Sequence, residues 1–267
     1  MTLFFKKTLF ASTMLAGLSG GLAIAADLQP IQPEPVVPIE VPNVWKFQVT
    51  MYGWATALNG DVGIRSLPPV KVNESFGDIL QNLDGAFMGS FYASNGTWSV
   101  LTDLIWAKVG ADATIGPFGG RAEFKQTQTI ASGAVGYRLP FGPPNLDISA
   151  TAGVRYNHLT ADVEVSPAII PITVTRDASK SWLDPVIGLS MRYDINDRWF
   201  VNALADVGGF DVGSKITAQG FAAVGYRWTK NISTAIGYRA IYTDYEDNGF
   251  TYKITQHGLF SSLGISF

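Results

Sequence analysis

Two histidines, His158 and His257, are the only side chains of this 267-residue sequence that ordinarily titrate near neutrality. Any general acid or base working at pH 7 would be sought there first. A general base needs a partner within hydrogen-bond reach, and the spacing suggests none. Asp162 stands four residues beyond His158, and His257 lies between Gln256 and Gly258. The acids Asp244, Glu246 and Asp247, or Asp206 with Asp211, would be the calcium candidates. None follows the alternate-position ligand spacing of an EF-hand loop, so they read as solvated loop acids. Cys is absent, which excludes disulfides and thiolate metal sites. No catalytic residue, cofactor or metal is expected. The chemistry that remains lies in arginines and aspartates, and their meaning depends on the elements that carry them.

Those elements read as strands. In the last fourteen residues, Leu259, Ser261, Leu263, Ile265 and Phe267 alternate with Gly258, Phe260, Ser262, Gly264 and Ser266. Period-two alternation marks a strand with one more apolar face. A first strand starts at Val44, with Trp45, Phe47, Val49 and Met51 opposed to Lys46, Gln48 and Thr50. A long connection follows Ala57, and within it Ser75 to Asp78 has a capping-box shape that predicts a short helix over 79–83. Further strands are expected at about 84–94, 98–115, 121–138, 146–165, 181–194, 198–207, 216–228, 232–245 and 250–267. Asn95-Gly96 between two of them is a strong hairpin signal. The total is ten, with eight as the alternative if two weak segments are loops. Turns after the even-numbered strands are mostly short and those after the odd-numbered ones longer, the asymmetry of outer-membrane barrels.

The N-terminus points to export. Lys6 and Lys7 precede an apolar run from Thr8 to Ile24 that ends in Ala23-Ile24-Ala25. Basic region, apolar region and small-residue site in that order predict a signal peptide over 1–25. Five prolines between Asp27 and Asn43 forbid helix and sheet interior, so 26–43 reads as an extended periplasmic leader before a barrel over 44–267. No later stretch has the apolar length of a membrane helix. A spanning chain must then be a barrel. The formal charge of −3 argues against nucleic acid as a partner.

The fold class expected is therefore all-β, a transmembrane antiparallel up-and-down barrel. Its parity sorts the side chains. Outward near the short-turn end fall Trp45, Trp98, Tyr137, Tyr193, Trp199, Tyr226, Trp228 and Phe267, an interfacial girdle. Inward fall Asp103, Arg138, Arg155, Asp184, Arg192, Asp206, Arg227 and Arg239. Three Gly-Tyr-Arg copies, beginning at Gly136, Gly225 and Gly237, repeat this Tyr-out, Arg-in pattern. The inward acids Asp103, Asp184 and Asp206 are expected to pair with arginines and fill the lumen.

Several segments carry a resemblance. They are Phe76-Gly77-Asp78-Ile79-Leu80 leading to Met88-Gly89-Ser90-Phe91, Asp184-Pro185-Val186-Ile187-Gly188, Asp206 to Ser214, Gly225-Tyr226-Arg227 and the final Phe267. With these the chain resembles the small proteobacterial outer-membrane barrels of the opacity and surface-antigen type. The resemblance implies a Gram-negative outer-membrane location, lipids and lipopolysaccharide as surroundings, the barrel-assembly machinery acting on the C-terminal strand, and a monomer. It does not imply an activity. Omptin-type proteases use an Asp pair with an Asp/His pair, and lipid A deacylases a His and a Ser two apart. Here no Asp-x-His step occurs and residue 259, two beyond His257, is Leu. The expected role is structural or surface-exposed, without catalysis. The alternative is a narrow, porin-like, anion-preferring pore, because the inward arginines and Lys46 outnumber the three inward acids.

Overall fold

A computed structural model describes residues 44–64, 69–115, 120–166 and 174–267. The expected signal peptide and proline-rich leader lie outside the described residues. The chain forms β1 (Lys46–Ile64), β2 (Val70–Glu74), α1 (Phe76–Gln81), β3 (Leu83–Ser94), β4 (Trp98–Ile115) and β5 (Gly120–Arg138). It continues with β6 (Leu146–Ser166), β7 (Val174–Asp194), β8 (Trp199–Gly209), β9 (Ile216–Arg227), β10 (Ile232–Asp247) and β11 (Phe250–Ser266). From β3 onward each strand pairs antiparallel with the next, and β11 closes on β1 from Gln48↔Ser266 to Ile64↔Phe250. Phe47 and Phe267 finish the closure by exchanging both backbone hydrogen bonds at 3.0 Å. The result is a closed ten-stranded antiparallel barrel, with β2 an eleventh, short strand on the edge of β1. The eight-strand alternative is ruled out.

The turns at the Trp45 end are built by side chains that replace backbone acceptors. Asn95 Oδ1 accepts from the amides of Thr97 and Trp98, and Asn196 Oδ1 from those of Arg198 and Trp199. Thr229 Oγ1 does the same for Asn231 and Ile232. At the other end several expected loops are ladder instead. β1 runs seven residues past Ala57 to Ile64, β2 pairs back onto it, and β7 begins at Val174 rather than near 181. β8 and β9 reach less far at this end than β7 and β10, with the loop between them where the sequence places it. Gly209 with φ +88° and the left-handed Phe210 and Asp211 turn the chain there.

The short helix starts three residues earlier, and ends two residues earlier, than the sequence suggests. Ser75 itself is the N-cap, so Phe76 is the first helical residue and the helix ends at Gln81. Ser75 and Asp78 cap each other reciprocally, and these hydrogen bonds hold the Asp78 carboxyl below the usual carboxylate range. The box therefore supports α1 fully above the ordinary carboxylate pKa, and that support disappears as pH falls through the lowered value. Amide exchange at Ser75 and Asp78, corrected for its intrinsic pH dependence, is expected to lose protection only in that acid window.

Burial is inverted relative to a water-soluble protein. Leu259 is 61% exposed and Ile236 64% on the outer face, whereas Arg155 is 1% and Asp184 0% exposed within. An apolar outer belt with charges enclosed is what hydrocarbon surroundings demand.

A buried charge network in the lumen

Arg239 and Arg155 project inward from β10 and β6 and meet partners from strands far away in the chain. Arg239 Nη2 bonds Asp103 Oδ1 at 2.7 Å, and Arg239 Nη1 donates to the Tyr52 hydroxyl at 2.8 Å. That hydroxyl donates in turn to Asp103 Oδ2 at 2.8 Å, closing a triangle between β1, β4 and β10. Arg155 Nη2 reaches both oxygens of Asp206 at 2.8 Å, and its Nη1 donates to Thr217 at 3.0 Å. Gln219 joins the two groups, because its Oε1 accepts from Arg239 at 2.9 Å and from Arg155 at 3.2 Å. All five charged or amide side chains are at least four-fifths enclosed, where an unpaired charge would be strongly disfavoured. Tyr52, Thr217 and Gln219 were not singled out from the sequence. Only their inward parity could have flagged them.

Asp184 departs from the expected pairing. No arginine lies within ion-pair distance of it among the described residues. Instead Asp184 Oδ1 accepts from the Ser214 amide at 2.6 Å, and Oδ2 accepts from the Trp182 indole at 3.2 Å and from Asn157 at 3.5 Å. The physical reason is the shorter reach of β8 and β9, which lets the 210–215 turn bring a backbone N–H to this carboxylate. Arg155, its cross-strand neighbour, is already bound to Asp206. Above this point the upper part of β7 meets that of β10. Trp182 stacks on Tyr245 at 4.2 Å between ring centroids, with Tyr252, Leu159 and Ile254 packed around them. Lys180 bonds Asp247 at 2.8 Å at the rim.

The other three arginines of the inward set, Arg138, Arg192 and Arg227, sit at the short-turn end and are partly exposed. Arg138 pairs with Asp147, and Arg192 and Arg227 both pair with Asp194. Arg192 and Arg227 also flank the Phe200 ring, at 4.3 and 5.1 Å. Asp147 and Asp194 were not counted among the inward acids, and they offset the arginine excess on which anion preference rested. Between this end and the central network lies a cavity of about 210 Å³ whose walls include Thr50, Ser99, Arg192 and Phe221.

On the outer face the girdle residues stand in contact around the same end. Trp98 packs edge-on against Tyr137 at 5.0 Å, Trp199 against Tyr226 at 5.0 Å, and Tyr226 against Trp228 at 4.8 Å. Trp45, Tyr193 and Phe267 are each more than a third exposed at this level. Both histidines point outward and have partners that the sequence could not reveal. His158 Nδ1 lies 2.7 Å from Ser181 Oγ on β7. His257 lies between Tyr238, at 2.6 Å, and Asn59, at 2.9 Å. No carboxylate is hydrogen-bonded to either ring among the described residues, and no cluster of potential metal ligands is found among them.

No protein-family model matches the chain, and no curated protein matches it by sequence. Solved structures do. The chain is similar to the outer membrane protease OmpT from Escherichia coli, with a TM-score of 0.52 and 10% identity over 85% of this chain and 98% of that one. It is also similar to the translocator domain of autotransporter NalP from Neisseria meningitidis, at TM-score 0.43 and 13% identity over 83% and 88% of the two chains. A third is Ail, the attachment invasion locus protein of Yersinia pestis, at 0.35 and 11% over 84% and 98%. At these identities the likeness to OmpT shows the fold and nothing about activity. The closed barrel with its apolar outer belt places the protein in the outer membrane of a Gram-negative bacterium.

Proposed function

We propose that this outer-membrane barrel is a structural or surface-exposed protein whose lumen does not conduct ions. The observation that carries this reading is the pair of enclosed ion pairs, Arg239–Asp103 and Arg155–Asp206, bridged by Gln219 across the lumen. An ion crossing here would have to separate enclosed pairs, and breaking such a pair leaves an uncompensated buried charge. The aromatic stack of Trp182 and Tyr245 adds a second obstruction above. Width argues the same way, since about eight strands are just filled by side chains and open channels take about 16–18. No catalytic step is assigned. The partners of His158 and His257 are uncharged, so neither imidazole is held by an acid as a general base usually is.

Planar-bilayer recording of the purified protein tests this. The expected record has no stable unitary steps, and the double variant Arg239→Ala/Arg155→Ala introduces them if it still inserts as a barrel. Steps in the unmodified protein that change size in Arg192→Ala or Arg227→Ala would overturn the reading in favour of a pore.

A further inference from the structure

The wall of the barrel is incomplete in one place. β1 pairs with β3 only from Lys46↔Ser94 to Met51↔Gly89. Beyond Met51, residues 52–57 pair with β11 alone, and on β3 Leu83 and residues 85–88 pair with β4 alone, with a register shift at Asp84. By contrast β4 and β5 stay paired from Trp98↔Tyr137 to Ile115↔Gly120. The opening ends above where β2 pairs with Leu58 to Val62, and α1 lies beside it between β2 and β3.

Its level follows from the girdle. Trp54 is nine residues above Trp45, and a strand tilted by about 40° rises about 2.5 Å per residue along the normal. The opening therefore begins in the outer half of the apolar band, about 25 Å tall, with Trp54 about 22 Å up, and runs through to its outer boundary. Unpaired strand edges facing hydrocarbon are disfavoured, and irregular backbone at this depth occurs where it lines a cavity.

A cavity is present. About 950 Å³ in volume, it is walled by lumen-facing Trp54, Met88 and Ile105 and also by outward-facing Ala55, Leu259 and Ile236, so it passes through the wall. Its lining is mainly apolar. Ala86 has inward parity, opposite Ala107, and is exposed to this cavity, which Phe76, Ile79 and Leu80 of α1 also line. Thr56 Oγ1 donates to the Trp54 carbonyl at 3.0 Å, supplying a side-chain partner inside the unpaired segment. One donor has no partner. Trp54 is 6% exposed, and its Nε1–H is buried without an acceptor. A buried indole N–H normally finds one.

We infer that this gap is a lateral portal in which the barrel binds an acyl chain of a surrounding membrane lipid, the Trp54 indole donating to an oxygen at the chain's carbonyl end. Hydrocarbon is the medium on the open side of the cavity, so a lipid chain is the occupant at highest local concentration. Its apolar body matches Met88, Ile105 and Leu259. Glu74 and Asp78 near the mouth disfavour a free anionic carboxylate and favour an ester. Tyr52 and Phe260 stand between this cavity and the one below it, and Arg239 lies 5.3 Å from the Trp54 ring, so the portal adjoins the central network without opening it.

Quenching by brominated lipid tests the portal. Three variants, each retaining a single Trp at 54, 106 or 182, are folded into vesicles of phosphatidylcholine brominated in its acyl chains. Heat-modifiable migration verifies the barrel. Trp106 faces lipid and Trp182 faces the lumen, so they give the upper and lower limits. Trp54 is expected to be quenched nearly as strongly as Trp106, and Ala86→Phe on that background to return it to the Trp182 level. Should that variant not fold, Ala107→Leu fills the same space. Quenching of Trp54 no greater than that of Trp182 overturns the portal. Quenching by free brominated dodecanoate but not by brominated lipid overturns a lipid chain as the occupant.

Discussion

Arg239→Ala lowers the stability of the folded barrel by about 3–5 kcal/mol, the usual result of removing one partner from a buried ion pair. The size follows from what is left behind. Asp103 loses its guanidinium partner, the Tyr52 hydroxyl loses a donor, and Gln219 loses one of its two guanidinium partners. Urea-induced unfolding from lipid vesicles, followed by heat-modifiable migration, measures the loss. Arg239→Met combined with Asp103→Leu recovers part of it, because removing both charges leaves no uncompensated carboxylate. Arg155→Ala destabilises by the same mechanism through Asp206. Since the groups share Gln219, the two losses together differ from their sum by about 0.5–3 kcal/mol. A loss under about 1 kcal/mol for Arg239→Ala would mean that water solvates Asp103 as at an exposed pair.

Ile187→Arg destabilises the barrel by about 2–4 kcal/mol, as a charge on the lipid face near the bilayer midplane does. Ile187 is 54% exposed on β7, six residues above the girdle Tyr193. At about 2.5 Å of rise per residue this puts it roughly 15 Å above the interface, close to mid-membrane. In a water-soluble protein the same change at so exposed a site would fall within about 0.5 kcal/mol. The size of this single effect therefore separates hydrocarbon from water as the solvent of the outer face. Ile195→Arg, in the turn below the girdle, serves as the control and is expected to have little effect. Unchanged stability in Ile187→Arg would contradict the membrane-facing assignment of β7.

The strands were legible because hydrocarbon imposes a simple rule on every second residue. Trp98 and Leu104 face out and Ser99 and Asp103 face in whatever the rest of the chain does, so the period is visible within a single strand. Turns were legible for a similar reason, since Asn95 and Asn196 act on amides two and three residues away. The ends of the strands were harder. β1 continues through Asn59-Gly60-Asp61 because β11 and β2 bond to it there, and no residue within that stretch signals those neighbours.

That inward acids meet arginines was legible, but which side chain meets which was not. Parity says that Asp184 and Arg155 both point inward, but not that one takes a backbone amide of the 210–215 turn while the other takes Asp206. Tyr52 and Arg239 are 187 positions apart and become neighbours only when β11 closes on β1. Above Met51, β1 and β3 part, β1 keeping its ladder to β11 and β3 its ladder to β4. Local alternation thus settled which side of the wall each residue occupies, since that choice depends on solvent alone. Register and closure, which are properties of the whole barrel, decided which charges meet and where the wall stays open.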